Sequence, residues 1–102
     1  MEIKLQKPFV KDGKTIEKLT LNLEAITGND LIKAEKVARA LGEEAVNPLF
    51  TQTGLAVVAA QTSGLTPDDI LELSAPDFLL VVNTVYNFLF GWVLSAAIQS
   101  KI

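Results

Sequence analysis

At 102 residues and a net charge of −3, the chain has the length of one small domain, and a hydrophobic fraction of 49% excludes wholesale disorder. It holds neither cysteine nor histidine, which removes disulfides, thiolate metal sites, the cysteine nucleophile and the usual general base. Eight basic residues in positions 1–44 are interleaved with eight acids. Positions 45–102 carry one base (Lys101) against four acids (Asp68, Asp69, Glu72, Asp77), so no basic patch is offered to nucleic acid.

The N-terminal stretch MEIKLQKPF lacks the apolar core of a signal peptide, which reads as a cytoplasmic chain. The segment EIKLQKPFVKDGKTIEKLTLNL reads as a β-hairpin within residues 1–24, turning at Asp12-Gly13. A two-residue turn there would set Leu5 opposite Thr20 and Gln6 opposite Leu19, splitting the apolar residues between two faces. One more loop residue sets Leu5 opposite Leu21 and Ile3 opposite Leu23. A longer loop with Gly13 as a left-handed bulge is therefore expected. Pro8 predicts an irregular or edge position in the first strand, and Ile16 falls on the wrong face of this register.

The helical part is expected over 28–99. Thr27-Gly28-Asn29-Asp30 has the form of a capping box, followed by an amphipathic helix. Leu31, Ala34, Val37, Ala38 and Leu41 share one of its faces, Lys33, Lys36 and Arg39 the other, and Gly42 ends it. In NPLFTQTGLAVVAAQTSG, Pro48 suits a first turn, LAVVAAQ is apolar nearly all round and reads as a central helix, and Gly64 caps it. Thr66-Pro67-Asp68-Asp69 starts a short helical turn, and Ser74-Ala75-Pro76-Asp77 starts the last helix. The expected class is α+β: an N-terminal β-hairpin followed by three main helices in one small domain.

Residues 78–100 carry no charge, a run of 23 long enough to cross a bilayer. On a helical wheel, Asn83, Asn87, Gly91, Thr84, Ser95 and Gln99 fall within an arc of roughly 160°. An aligned polar stripe suits a soluble helix better than a lone span in lipid. Gly91 is a candidate stop. Up to Phe90, the residues Phe78, Leu79, Val82, Tyr86 and Leu89 read as core. Phe90, Trp92, Val93, Leu94 and Ile98 read as a surface for a protein partner or another copy, with Trp92 as its anchor. Two uncharged runs, 45–67 and 78–100, exceed what so small a chain hides within itself.

No constellation supports catalysis. The paired acids Asp68 and Asp69 are explained by the helix start they precede, and the glycines form no phosphate-cradling loop. Ser63 and Thr53 have no histidine to activate them. No catalytic, cofactor-binding or metal-ligating residues are assigned.

The order of signals nevertheless resembles a known family. Leu5, Pro8, Asp12-Gly13, the alternating LTLNL and TGNDL are followed by AAQTSGLTPDDILELSAPDF and by Phe88 in NFL. This is similar to the small tail assembly chaperones of tailed bacteriophages, the Mu-like and P2-like tail proteins, over residues 3 to 90. The resemblance implies a non-catalytic role. Such chaperones hold the tape-measure protein soluble, recruit tail tube subunits around it, and are absent from the finished virion. The C-terminal FGWVLSAAIQSKI is more apolar than that resemblance implies. The alternatives are a small tail-anchored membrane protein and a structural subunit that forms a homo-oligomer through its C-terminal helix.

Overall fold

The computed structural model describes the backbone of residues 1–100 and the side chains of residues 1–91. Strands β1 (Glu2–Lys11) and β2 (Lys14–Thr20) form an antiparallel hairpin. Helices α1 (Gly28–Ala40), α2 (Gln52–Ser63), α3 (Pro67–Leu71) and α4 (Ala75–Ser100) follow, with 3-10 turns at Leu23–Ala25 and Pro48–Phe50. The class is α+β, as the sequence indicates.

The hairpin forms neither the expected longer loop nor the expected pairs Leu5–Leu21 and Ile3–Leu23. Its turn has two residues: Lys11 pairs with Lys14, and Asp12 and Gly13 both adopt positive φ, 52° and 77°. That is the backbone twist a tight hairpin prefers. The correction to register comes inside β1. Phe9 pairs with Ile16 but Lys4 pairs with Lys18, so β1 spends three more residues than β2 across the irregularity between them. Pro8 lies within this bulge, where its missing N–H costs the ladder nothing. Beyond the bulge Ile3 faces Leu19, and Ile3, Leu5, Leu19 and Leu21 are all buried. Ile16 gains an apolar partner in Phe9, and both pack against the core.

Helix α2 is central. Every residue from Gly54 to Ala60 is buried, and the helix contacts α1, α3, α4, β2 and the turn before it. Its start explains an unfavourable residue. Thr51 caps the helix by accepting from the Gly54 N–H, and its hydroxyl donates to the Pro48 carbonyl. A Cβ on Gly54 would lie 2.0 Å from that carbonyl oxygen, so only glycine lets the buried Pro48 turn close on the helix. Gly64, at φ 76°, caps the other end.

The expected capping box forms, Thr27 with Asp30 on α1, and the expected helix start at Thr66 closes a second box with Asp69 on α3. Helix α1 closes in a Schellman motif: Glu43 N–H donates to Ala38 O and Gly42 N–H to Arg39 O, each at 3.0 Å. The Arg39 guanidinium then ties down the following loop, donating to Ala45 O at 2.9 Å. The apolar face expected for α1 is only partly used. Ala34 and Ala38 are fully buried, whereas Val37 and Leu41 are exposed. A seam of two alanines lets α1 approach α2 closely, and the longer side chains beside it stay outside.

Helix α4 departs from expectation twice. It runs through Gly91 to Ser100 without a break. Its buried face is also shifted: Val82 is buried and Phe78, Tyr86 and Leu89 pack against the core as expected, but Val81 and Val85 are buried with them, whereas Leu79, expected in the core, is 45% exposed. The phase is set by Asp77, which is 1% exposed. Its carboxylate accepts the Gln6 N–H at 2.8 Å and the Lys7 N–H at 2.9 Å, the free donors of the β1 bulge, and the Ser74 hydroxyl at 3.0 Å. Positions 81 and 85 follow Asp77 at successive helical turns and point inward with it. Leu79 lies about 200° around the axis and points away. Among the described residues no helix is long and apolar enough to cross a membrane.

Burial pushes the Asp77 carboxyl up, but the two backbone N–H donors and Ser74 outweigh it and hold it below its ordinary value. A carboxyl whose folded pKa is lowered contributes stability above its unfolded value of about 3.9 and loses it as pH falls through the folded value. Stability measured by denaturant titration is expected to drop below about pH 4, with a smaller drop in Asp77→Asn. At neutral pH, Asp77→Ala is expected to cost about 3 kcal/mol, because two bulge N–H groups lose a charged acceptor.

Gly54→Ala tests the α2 start. Helix propensity alone favours alanine by about 1 kcal/mol. The clash with the Pro48 carbonyl is expected to reverse the sign and give a net loss of about 1–3 kcal/mol in chemical denaturation. Leu79→Ala is expected to cost about 1 kcal/mol or less. Ile70→Ala, at a fully buried position, is expected to cost about 2–5 kcal/mol.

Candidate partner-binding surface

Two of the acids of the C-terminal half, Asp69 and Asp77, are structural. Asp69 closes the α3 capping box and also forms an ion pair with Lys11 at the hairpin tip. The Lys11 ammonium, helped by the Thr66 N–H, holds the Asp69 carboxyl below the usual carboxylate range. Asp77 serves the β1 bulge. The two acids clamp two points of one strand to the starts of two helices. Among the described residues no cluster of acids is arranged to hold a metal ion, and no buried side-chain polar atom lacks a partner.

A hollow of about 740 Å³ on the hairpin is lined mostly by polar and charged residues, Glu2, Lys4, Thr15, Glu17 and Lys18 with Ile16, whereas the features beside α4 are apolar. A groove of about 580 Å³ lies between the start of α1 and the second half of α4, lined by Ile26, Thr27, Gly28, Leu31, Asn87, Phe88 and Leu89. Ile26 and Leu31 flank the Thr27 cap at the positions of a hydrophobic staple, so the local rule that starts α1 also supplies one groove wall. The rings of Phe50 and Phe90 lie 4.5 Å apart, and those of Tyr86 and Phe90 5.1 Å apart. This cluster joins the Pro48–Phe50 turn to α4. Phe50 is 52% exposed, and Leu79 and Leu80 present further apolar surface on α4.

Of the residues the sequence nominated for partner contact, Phe90 lies in this aromatic cluster and is partly buried. Trp92, Val93, Leu94 and Ile98 lie outside the described side chains. The sequence reading missed Phe50, Leu80 and the groove residues Ile26 and Phe88. The staple positions around Thr27 were a usable signal for Ile26. Phe50 and Phe88 lie in the two uncharged runs, but nothing in the sequence singled them out for contact, because their neighbours come from distant segments.

Geometry of this kind offers surface for another protein. Comparison with protein families gives it a setting: residues 2–89 match the family described as phage tail assembly chaperone proteins, E, or 41 or 14. The chain belongs to this family. Neither a search of curated proteins nor a search of solved structures finds a match. Membership makes the chain a phage tail assembly chaperone and implies protein partners in tail assembly. The matched span ends at Leu89, just before the aromatic cluster closes at Phe90, and the charge-free end of α4 lies beyond it.

Proposed function

We propose that this tail assembly chaperone acts as one non-catalytic domain that holds the hydrophobic tape-measure protein soluble and helps recruit tail tube subunits around it. It works in the bacterial cytoplasm and leaves before the virion is complete. The observation that carries this reading is the apolar groove between α1 and α4, opening beside a helix with no charge from 78 to 100. An amphipathic helix of a long helical client can lay its apolar face in such a groove, with anchors at helical spacing. Phe90, Trp92, Val93, Leu94 and Ile98 are proposed to extend the contact along α4, with Trp92 contributing most.

Co-expression with a tape-measure protein from the same tail gene cluster is expected to move the client from the pellet into the supernatant. A chain truncated after Phe90 is expected to lose most of that effect while keeping its fold by circular dichroism. Equal client aggregation with and without the chaperone would overturn the reading.

A further inference from the structure

We propose that the outward face of α4 is a self-association surface, on which a second copy of this chain packs antiparallel with its dyad between Asn83 and Asn87. Leu79, Asn83, Asn87 and Gly91 are spaced four apart and form one ridge of the helix. Leu79, Asn83 and Asn87 are exposed. Gly91 is the residue least expected there, since glycine inside a helix is unfavourable relative to alanine. Among the described residues nothing asks for it: a Cβ at position 91 would meet none of their atoms within 4 Å. A close approach from outside gives it a reason.

The ridge is complementary to its own reversed copy. With Asn83 set against Asn87 of the second copy, Leu79 falls against the notch at Gly91, and Leu80 falls against Phe90. The amides can each donate and accept across the dyad, as a buried asparagine does when it specifies register. A two-fold contact requires this reciprocity, residue i meeting j while j meets i.

Charge also favours a second copy here. Residues 78–100 carry none, so two α4 helices meet without repulsion. The outer edge of β2 is closed to the same partner, because a two-fold pairing centred on Glu17 or Lys18 sets like charges together, and one centred on Ile16 sets Lys14 against Lys18.

The test uses the full chain without its client, so its outcome is separate from the co-expression result. Light scattering after gel filtration is expected to give twice the chain mass of 11.0 kDa. Gly91→Leu fills the notch and strengthens the helix, so it is expected to keep or raise helical circular dichroism while the mass falls to that of one chain. The chain has no cysteine of its own. A mixture of Asn83→Cys and Asn87→Cys is therefore expected to oxidise to the mixed disulfide several-fold more than either variant alone. A wild-type mass of one chain, a Gly91→Leu dimer, or equal cross-linking in the unmixed variants would overturn the proposal. If Gly91→Leu loses its helical signal, the cross-linking pattern decides alone.

Discussion

The structure depends on one carboxylate. Asp77 sits at the start of α4 yet is buried against β1, where it accepts the two N–H groups that the bulge leaves without ladder partners. A bulge is costly when its freed donors are buried and unpaired, and a buried carboxylate is costly when it has no donors. Each solves the other. With the bulge satisfied, β1 shifts register and places Ile3 and Leu5 in the core. With Asp77 facing inward, the phase of α4 is set, and Val81 and Val85 follow it. Lys11 and Asp69 repeat the arrangement at the hairpin tip, so β1 is tied to a helix start at its bulge and again at its end.

The same constraint decides which apolar residues are left for other molecules. The core is built largely from small and β-branched side chains: two alanines of α1, the Ala and Val run of α2 and the three valines of α4. Close packing of small residues leaves no room for the larger ones nearby. Val37 and Leu41 on α1, Leu79 and Leu80 on α4, and Phe50 in the turn before α2 are displaced to the surface. A chain whose family assists tail assembly thus leaves several of its larger apolar side chains on the surface, where another protein can meet them.

Much of the fold was legible because it rests on local rules. Thr27 and Thr66 are followed three residues later by an acid, Gly42 and Gly64 accept the positive φ that ends a helix, and Asp12-Gly13 turns a hairpin. Each signal acts within a few residues, so each can be read without knowing what lies across the molecule. The central position of α2 was readable too, since a helix apolar on all sides must be surrounded. Less of the candidate surface was legible. The groove and the aromatic cluster assemble residues from the turn at 23–25, the turn at 48–50, α1 and α4, and no spacing in the chain announces that meeting.

The sequence by itself determined the elements, their caps and the α+β class, because those follow from backbone sterics and hydrogen bonds among near neighbours. Tertiary structure alone decided three things: where the hairpin corrects its register, which way α4 faces, and whether Gly91 interrupts it. The first two turn on a contact between residues about 70 positions apart, from Gln6 and Lys7 to Asp77. The third has no such contact behind it among the described residues: the helix runs on through a glycine that the sequence marks as a candidate stop. Leu79 shows the difference most directly. Its residue type and position made it a core residue on paper, and a carboxylate two residues earlier, drawn inward by a strand, turned it out to solvent.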